Sequence, residues 1–520
     1  MTTAFANLTI VDVELKLALP TSDPASLARR LAQVPLLARR KPTRIQLHNV
    51  YYDTPELTLR AKRVALRTRR VDGAPGPDGA VAAPQWLQTL KMAGREDSAL
   101  SQRGEWETPV VGDALSAKAL KNTPWAQLDP TGAVFDVLQP CFATTFERTL
   151  WLVRRRDGSV VEVALDVGQI VAGDQTTPIC ELELELKAGT PAALFEVAQH
   201  IARSVALLPV NTSKAGQGFA LAQGTLHRPQ RARPPLLTKK LNPVAAAQTV
   251  LLEMFSQFIT NVNTLRTSSE PEVVHQARVG WRRLKSAMRL CKPLLTDQPP
   301  PALDSLQPLL SCLGEWRNTG VALNETLPPL TNAYTAGDEP RTQTWNNVMQ
   351  ALQDAATLQG KAVRYALQAP AVGATLLTMT EWLENLHPHP RLAAPDAGSE
   401  RHLPPLKRWA HKRIKQLHQQ LQRARRDSHT LEDQHRVRLL AKRLRYAIEA
   451  LEPLLASRVT KRWLPLAQQL QTDMGATRDL AQCIELVRAL DSDRALVEFL
   501  RGVAAGACLV PLPTPLRVKK

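Results

Sequence analysis

The sequence predicts a multidomain α+β protein, with a sheet-rich N-terminal half and an all-α, internally duplicated C-terminal half. Three observations carry this reading. Apolar and polar residues alternate with period two in segment after segment before residue 225. From about residue 240 the period becomes helical, and within that stretch a basic motif recurs 160 residues after its first appearance. The charge divides at the same place. Residues 1–225 hold 25 Lys+Arg against 23 Asp+Glu, whereas the remainder holds 41 against 25 and so nearly all of the +18 excess. A chain of 520 residues fits two to four domains at roughly 100–200 residues each. The expected division is a first domain over 1–225, a linker over 226–240 marked by Pro and Arg around His227–Pro235, and a helical domain over 241–515.

Composition excludes several classes. At 44% hydrophobic and 22% charged residues the chain has material for real cores and is not disordered throughout. It has no apolar run near the roughly 18 residues of a membrane span, and its start lacks the basic-then-apolar pattern of a secretory leader. The six cysteines (141, 180, 291, 312, 483, 508) form no CxxC pair, which argues against zinc and suits reduced thiols in a cytoplasm. The basic excess calls for an anionic partner.

The strands follow in order. Residues 9–17 place Asp12, Glu14 and Lys16 on one face and Val11, Val13, Leu15 and Leu17 on the other. The same alternation runs through 64–69 with Arg67 and Arg69, 86–91 with Lys91, 103–107 with Arg103, 160–166, and 181–187 with Glu181, Glu183 and Glu185. Each could be a sheet with a wetted polar side. The polar positions, however, come in short blocks of one sign. Three carboxylates at i, i+2 and i+4 repel one another unless a cation compensates them. Hard divalent cations prefer such oxygens, and guanidinium and ammonium groups suit phosphate. If the sheet closes into a barrel, both sets face one lumen, which is what metal-dependent phosphoryl hydrolysis needs.

Over about residues 8–222 the sequence resembles the CYTH superfamily, the triphosphate tunnel metalloenzymes. The matching pieces are Asp12-Val-Glu14-Leu-Lys16, Tyr51-Tyr-Asp53-Thr-Pro55, Leu66-Arg67-Thr-Arg69, Thr89-Leu-Lys91, Arg103-Gly-Glu105-Trp-Glu107, Phe146-Glu-Arg148, Leu165-Asp166, the Glu181–Glu185 strand and Ser213-Lys214. The resemblance implies an antiparallel eight-stranded β tunnel with helices that hydrolyses triphosphates with Mg²⁺ or Mn²⁺. It would place Lys16, Arg67, Arg69, Lys91, Arg103, Arg148 and Lys214 on the triphosphate, with Glu14, Lys16 and Lys91 carrying the catalysis. Asp12, Glu14, Asp166, Glu181, Glu183 and Glu185 would hold metal, and which two of the three glutamates form the pair stays open. Asp12 stands where the family usually has Glu, one methylene shorter, which implies an altered rate or metal preference. The family divides among inorganic triphosphatases, thiamine triphosphatases and class IV adenylyl cyclases, and the sequence displays no nucleoside or thiamine pocket.

In the helical half, His275-x-x-Arg278-x-x-x-Arg282-Arg283-Leu-Lys285 is echoed by His435-x-x-Arg438-x-x-x-Lys442-Arg443-Leu-Arg445. Leu313-Gly314-Glu-Trp-Arg317-Asn318 is echoed at the matching distance by Met474-Gly475-Ala-Thr-Arg478-Asp479. A repeat of this length indicates a duplicated helical bundle. At 100° per residue, His275, Arg278, Arg282, Lys285 and Arg289 share an arc of about 80° with Trp281, Leu284 and Met288 beside it. A face built only for solubility would carry acidic i,i+4 partners. The first arc has none and the second only Glu449. Two such arcs build one groove for a polyanion, while the histidines serve as caps, as packing, or as phosphate ligands when protonated. The basic run His411–Lys415 reads as a solvated face, and Pro299–Pro301 and His387–Pro390 as loops.

This pattern resembles the CHAD domain over about residues 241–510, a helical module often fused to CYTH domains. The resemblance implies binding of inorganic polyphosphate by His275, Arg278, Arg282, Arg283, Lys285, His435, Arg438, Lys442, Arg443 and Arg445. Asn318 departs from the Arg-Asp that the second copy keeps at Arg478-Asp479. The combined expectation is a cytoplasmic, metal-dependent inorganic triphosphatase tethered to a polyphosphate-binding domain, with no membrane partner. A polyphosphate-binding scaffold with a weakly active or inactive tunnel, and a thiamine triphosphatase, are the alternatives. Aromatic residues at 5%, without aromatic–basic interleaving, argue against nucleic acid.

Overall fold

The computed structural model describes residues 11–20, 23–72, 83–92, 94, 97–238, 241–295, 298–386, 405–427, 430–490 and 494–509. The first ten residues and the loop expected at 387–390 lie outside them, as do the side chains of 473–477. Among the described residues nine strands run β1 (Val11–Ala18), β2 (Thr43–Asp53), β3 (Val64–Asp72), β4 (Gln85–Met92), β5 (Leu100–Val110), β6 (Gln139–Arg154), β7 (Val160–Ala172), β8 (Gln175–Ala188) and β9 (Leu208–Pro209). Their order is β5-β4-β3-β2-β6-β7-β8-β1, and β1 pairs back onto β5. Eight antiparallel strands therefore close into a barrel, and the two-residue β9 adds to β1. Closure leaves no long unpaired edge.

Apolar packing fixes which face looks inward. Outside the barrel, Leu15, Leu17, Val163, Leu165, Leu182 and Leu184 are buried against Leu194, Phe195, Val197 and Ile201 of helix α1 (Ala192–Ala202). One end of the lumen is plugged by α2 (Lys214–Ala222), whose Phe219 sits edge-on to Phe142 at 5.0 Å, with Tyr51 stacked on Phe142 at 4.6 Å. Leu47, Phe146, Ile170 and Ile179 complete the plug. Gly218 permits this approach, since a Cβ there would lie 2.1 Å from the Phe142 ring. Asp53 accepts backbone N–H bonds from Thr54, Leu59 and Arg60 at 2.8–2.9 Å and so caps the short helix Thr58–Ala61. In this motif the Asp-Thr-Pro piece is scaffolding.

The long helices of the second half, among the described residues, are α3 (Pro243–Thr264), α4 (Pro271–Cys291), α5 (Gln307–Val321), α6 (Glu339–Leu367), α7 (Pro370–Glu384), α8 (Leu406–Arg426), α9 (Leu431–Leu451), α10 (Ser457–Ala489) and α11 (Arg494–Leu509). The repeated His-Arg motifs fall on α4 and α9, and the repeated Gly-x-x-Arg motifs on α5 and α10. Each motif helix packs on the one before it, and the copies meet through α4–α9 and α5–α10. Among the described residues no helix is long and apolar enough to cross a membrane.

The two halves share their cores. Leu377 of α7 is fully buried in the cluster outside the barrel, while Ala18, Leu208 and Val210 belong to the core of the bundle. Gln199 of α1 donates to Thr378 Oγ1 at 2.7 Å. At Gly373 the helix backbone meets the Leu207 carbonyl so closely that a Cβ would lie 1.9 Å from its oxygen. Gly373→Ala should therefore force the halves apart and destabilise the protein by about 1–3 kcal/mol. Gly502→Ala, at a helical glycine with open space around it, should be neutral or slightly stabilising. Urea unfolding of both variants checks the contrast.

Candidate active site

The pleat delivers side chains from every long strand into one cavity of about 1070 Å³. Asp12, Glu14 and Lys16 enter from β1, Arg67 and Arg69 from β3, Lys91 from β4, Arg103, Glu105 and Glu107 from β5, and Arg148 from β6. Glu183 and Glu185 enter from β8, and Lys214 from the start of α2. Register decides their neighbours, because β1 lies between β5 and β8. Asp12 stands opposite Arg103, Glu14 opposite Glu185, and Lys16 opposite Glu183. Likewise Arg148 faces Asp166 across β6–β7, and Asp166 faces Glu181 across β7–β8.

Two ionic clusters result. Near the plug, Arg148 makes a two-pronged contact with Asp166, Nε and Nη2 donating at 2.7 and 2.6 Å, and Nη2 also reaches Glu183 at 2.6 Å. Lys214 Nζ lies 2.6 Å from Asp166 and 3.0 Å from Glu183, and pairs with Glu181. Asp166 has no exposed surface. Burial raises the Glu181 carboxyl above its ordinary range against the pull of Lys214. Glu183 is held well below that range, because Lys214 and Arg148 outweigh its burial. Oxygens of Asp166, Glu181 and Glu183 come within 4.8 Å of one another. This all-oxygen donor set fits a hard cation such as Mg²⁺ or Mn²⁺. Asp166 and Glu181 lie behind the cavity wall, whereas Glu183 belongs both to the cluster and to the wall.

Across the lumen, Glu14 accepts from Lys16 at 2.6 Å and pairs with Arg103. Lys91 lies 2.7 Å from Glu105 and 3.4 Å from Asp12. Arg67 is held by Tyr51 Oη at 3.2 Å and by Glu105 at 3.7 Å, and Arg69 donates to Asn49 at 2.8 Å. Burial pushes Asp12 up to about 7, Lys91 opposing and the charges of Glu14 and Glu105 adding to the rise. Glu14 is pulled to about 2, its burial overcome by Lys16 and Arg103. The Nε–H groups of Arg67 and Arg103 are buried without a hydrogen-bond acceptor, leaving donors for an anion in the lumen.

All the tunnel residues singled out from sequence thus meet in or just behind one cavity. Sequence reasoning assigned no role to Glu105, Tyr51 or Asn49, which anchor Lys91, Arg67 and Arg69. Glu105 was visible as an alternating position on β5, but the two β2 residues carried no charge signal. It also missed that Gln230, Arg233, Ser256 and Thr260, from beyond the barrel, line the same cavity.

The bundle holds a second cationic site. Burial together with Arg282, Arg317 and Arg478 depresses Arg278 to about 10. Burial together with Arg438, Arg282 and Arg478 depresses Lys442 to about 8. Six cations from α4, α5, α9 and α10 therefore crowd one another across the repeat. Gly314 makes room for Arg278, because a Cβ there would lie 2.8 Å from Nη1. The Nε–H groups of Arg282 and Arg438 are buried without an acceptor. Asp479 lies among Arg438 and Arg478, and Arg317 pairs with Glu325 at 2.7 Å. Other motif residues stand apart. Arg283 is buried, donates to Gln257 and lies 3.8 Å from Glu449, to which Arg445 donates at 2.7 Å. These two arginines brace α4 against α9. Lys285, His435 and Arg443 are exposed, while His275 is half-buried, its imidazole pKa lowered by burial and by Arg317.

Removing Arg148 leaves Asp166 and Glu183 to share Lys214, so the buried cluster becomes under-compensated. Arg148→Met should cost about 3–5 kcal/mol in chemical denaturation. Arg148→Met combined with Asp166→Asn should recover much of that loss.

Comparison with known proteins accords with both halves. Residues 12–215 match the CYTH domain and residues 249–488 the CHAD domain. The chain is 32% identical over 217 residues to an inorganic triphosphatase of Haemophilus influenzae, which covers 41% of this chain and 56% of that protein. It therefore spans little more than half the length of that curated relative. Among solved structures, the CHAD domain from the plant Ricinus communis aligns at 26% identity and a TM-score of 0.45, over 54% of this chain and 91% of that one. A putative adenylyl cyclase from Hippeastrum, described as having a dominant triphosphatase activity, aligns at 15% identity and a TM-score of 0.27, over 40% and 95%. With a domain match in each half, the chain belongs to the proteins that join an N-terminal CYTH domain to a C-terminal CHAD domain.

Proposed function

We propose that the tunnel hydrolyses inorganic triphosphate to pyrophosphate and phosphate, and that the helical domain binds inorganic polyphosphate. The observation that carries the first part is the convergence of seven cationic side chains and a wall of carboxylates on one closed lumen. The name of the Haemophilus influenzae relative agrees with it. Lys16, Arg67, Arg69, Lys91, Arg103, Arg148 and Lys214 bind the phosphate oxygens, exchanging part of their carboxylate contacts for the substrate. Metal is held by donors drawn from Asp12, Glu14, Asp166, Glu181, Glu183 and Glu185, with Glu183 common to the buried cluster and the cavity wall. Bound Mg²⁺ or Mn²⁺ supplies a hard positive charge on the phosphate oxygens. Glu14, anionic at neutral pH, orients the attacking water, while Lys16 and Lys91 offset the charge that develops on the departing pyrophosphate.

A panel of triphosphate, ATP, thiamine triphosphate and long polyphosphate, each with Mg²⁺ and Mn²⁺, tests this. Metal-dependent phosphate release should be fastest on triphosphate, and Lys91→Met should lower kcat at least 100-fold. No release from any triphosphate would leave the scaffold reading. That reading draws on Asp12, which is both shorter than the family's glutamate and raised toward neutrality; Asp12→Glu increasing activity would locate the defect there.

Proton linkage gives a separate check. With Asp12 at about 7, a proton competes for this carboxylate as the pH falls. Mn²⁺ affinity, measured by calorimetry, should drop about tenfold from pH 8 to pH 6. Asp12→Asn should flatten that dependence.

For the helical domain, the crowding of Arg278, Arg282, Arg317, Arg438, Lys442 and Arg478 supports a polyanion ligand. Arg278→Gln with Lys442→Gln should weaken polyphosphate binding at least tenfold and reduce its salt dependence. Binding of DNA in preference to polyphosphate at matched salt would overturn this half of the proposal.

A further inference from the structure

The barrel does not make its own cavity alone. Helix α3 of the CHAD domain is buried along most of its length, and its polar positions include Glu253, Ser256, Thr260 and Asn263, spaced three and four residues apart. That spacing forms one stripe along the helix. Ser256 and Thr260 line the tunnel cavity. Both close on Asn211, whose Nδ2 donates to Ser256 Oγ at 2.7 Å while its Oδ1 accepts from Thr260 Oγ1 at 3.1 Å. The amide is therefore fixed at both ends. One turn further, Asn263 Nδ2 donates to the Pro209 carbonyl at 2.9 Å.

Asn211 begins the short irregular segment that leads into Lys214. Ser213 caps α2 by accepting from Gly216 N at 3.1 Å, and Lys214 is the first residue of that helix. On the other side, Val210 N donates to the Lys16 carbonyl at 3.0 Å. The backbone leading to the Lys214 ammonium is thus gripped by β1 and by the stripe on α3. Since that ammonium sits among Asp166, Glu181 and Glu183, a shift of this segment would move it relative to three carboxylates at once.

We infer that Ser256 and Thr260 are positioning residues for Lys214, acting through Asn211, so that the CHAD domain supplies part of the triphosphate site of the CYTH domain. This rests on the reading of the tunnel as a triphosphate site. It differs from a role in tethering, because it assigns the helical domain a direct effect on the tunnel's affinity.

The test uses the full-length chain, with steady-state kinetics on tripolyphosphate and Mg²⁺ and calorimetric binding of tripolyphosphate. Ser256→Ala with Thr260→Val removes both hydroxyls at nearly constant volume. It should raise KM five- to twentyfold with kcat changed less than threefold, and weaken calorimetric binding in parallel. Thr260→Ser, which keeps the hydroxyl, should restore much of the lost affinity when it replaces Thr260→Val, leaving only the effect of Ser256→Ala. In a Lys214→Gln background the double substitution should have no further effect. If the double variant proves unstable, Thr260→Val alone should still show the KM shift. Wild-type KM in a folded variant, or effects that multiply fully with Lys214→Gln, overturn the inference and leave the tunnel reading intact. Wild-type protein that neither binds nor cleaves tripolyphosphate overturns both.

Discussion

Inside a closed barrel a buried charge can be compensated only by another group in the lumen, and this constraint governs the molecule. Taking ions out of water costs several kcal/mol each, which mutual attraction offsets only when geometry and further hydrogen bonds are good. The register of the sheet meets that demand by setting Asp12 across from Arg103, Lys16 from Glu183 and Arg148 from Asp166. Pairing inside then depends on packing outside, because Leu15, Leu17, Leu182 and Leu184 hold β1 and β8 in register against α1. A slip of one residue would turn the carboxylates into the leucine layer. The aromatic plug built on Phe142 and Phe219 closes one end and keeps the first cluster buried.

The bundle solves the opposite problem. Its central cations are not matched by carboxylates in equal number, and they depress one another, most visibly at Lys442 and Arg278. What keeps the helices together beneath this repulsion is a continuous apolar core and the Arg283–Glu449–Arg445 brace. The tunnel is poised for exchange of one set of ionic partners for another. The groove, in contrast, has charge still to be compensated. Under the function proposed above, these different electrostatic characters suit a short substrate that must leave and a long chain that must stay.

Much of this was legible in the chain because alternation is unambiguous where one face is leucine and the other is charge, as in β1 and β8. It was not legible in β6, where the buried face changes sides along the strand. Phe142 and Phe146 point into the plugged end of the lumen, while Trp151 and Val153 point outward under α1. A period-two pattern that switches phase midway resembles no pattern at all. β2 was hidden for a related reason, as its lumen residues Leu47, Asn49 and Tyr51 are uncharged. In the bundle, the adjacent pair Arg282-Arg283 reads as one basic patch, yet 100° of rotation sends one guanidinium to the groove and the other to Gln257. The stripe on α3 was present in the sequence, but only the barrel packed beside it gives those hydroxyls a meaning.

The duplication itself has unequal twins. α3 and α8 hold corresponding places, each preceding the helix that bears the His-Arg motif. α3 carries a single charged residue, Glu253; it packs chiefly on α4, and its polar stripe bonds to Asn211 and Pro209 at the edge of the barrel. Among the described residues α8 packs chiefly on α9, and it carries Lys407, Arg408, Lys412, Arg413, Lys415, Arg423, Arg425 and Arg426. The two copies thus differ in surface charge according to what each lies against. The helix that meets the barrel shows it a neutral, hydrogen-bonding stripe, whereas its counterpart carries eight cationic side chains.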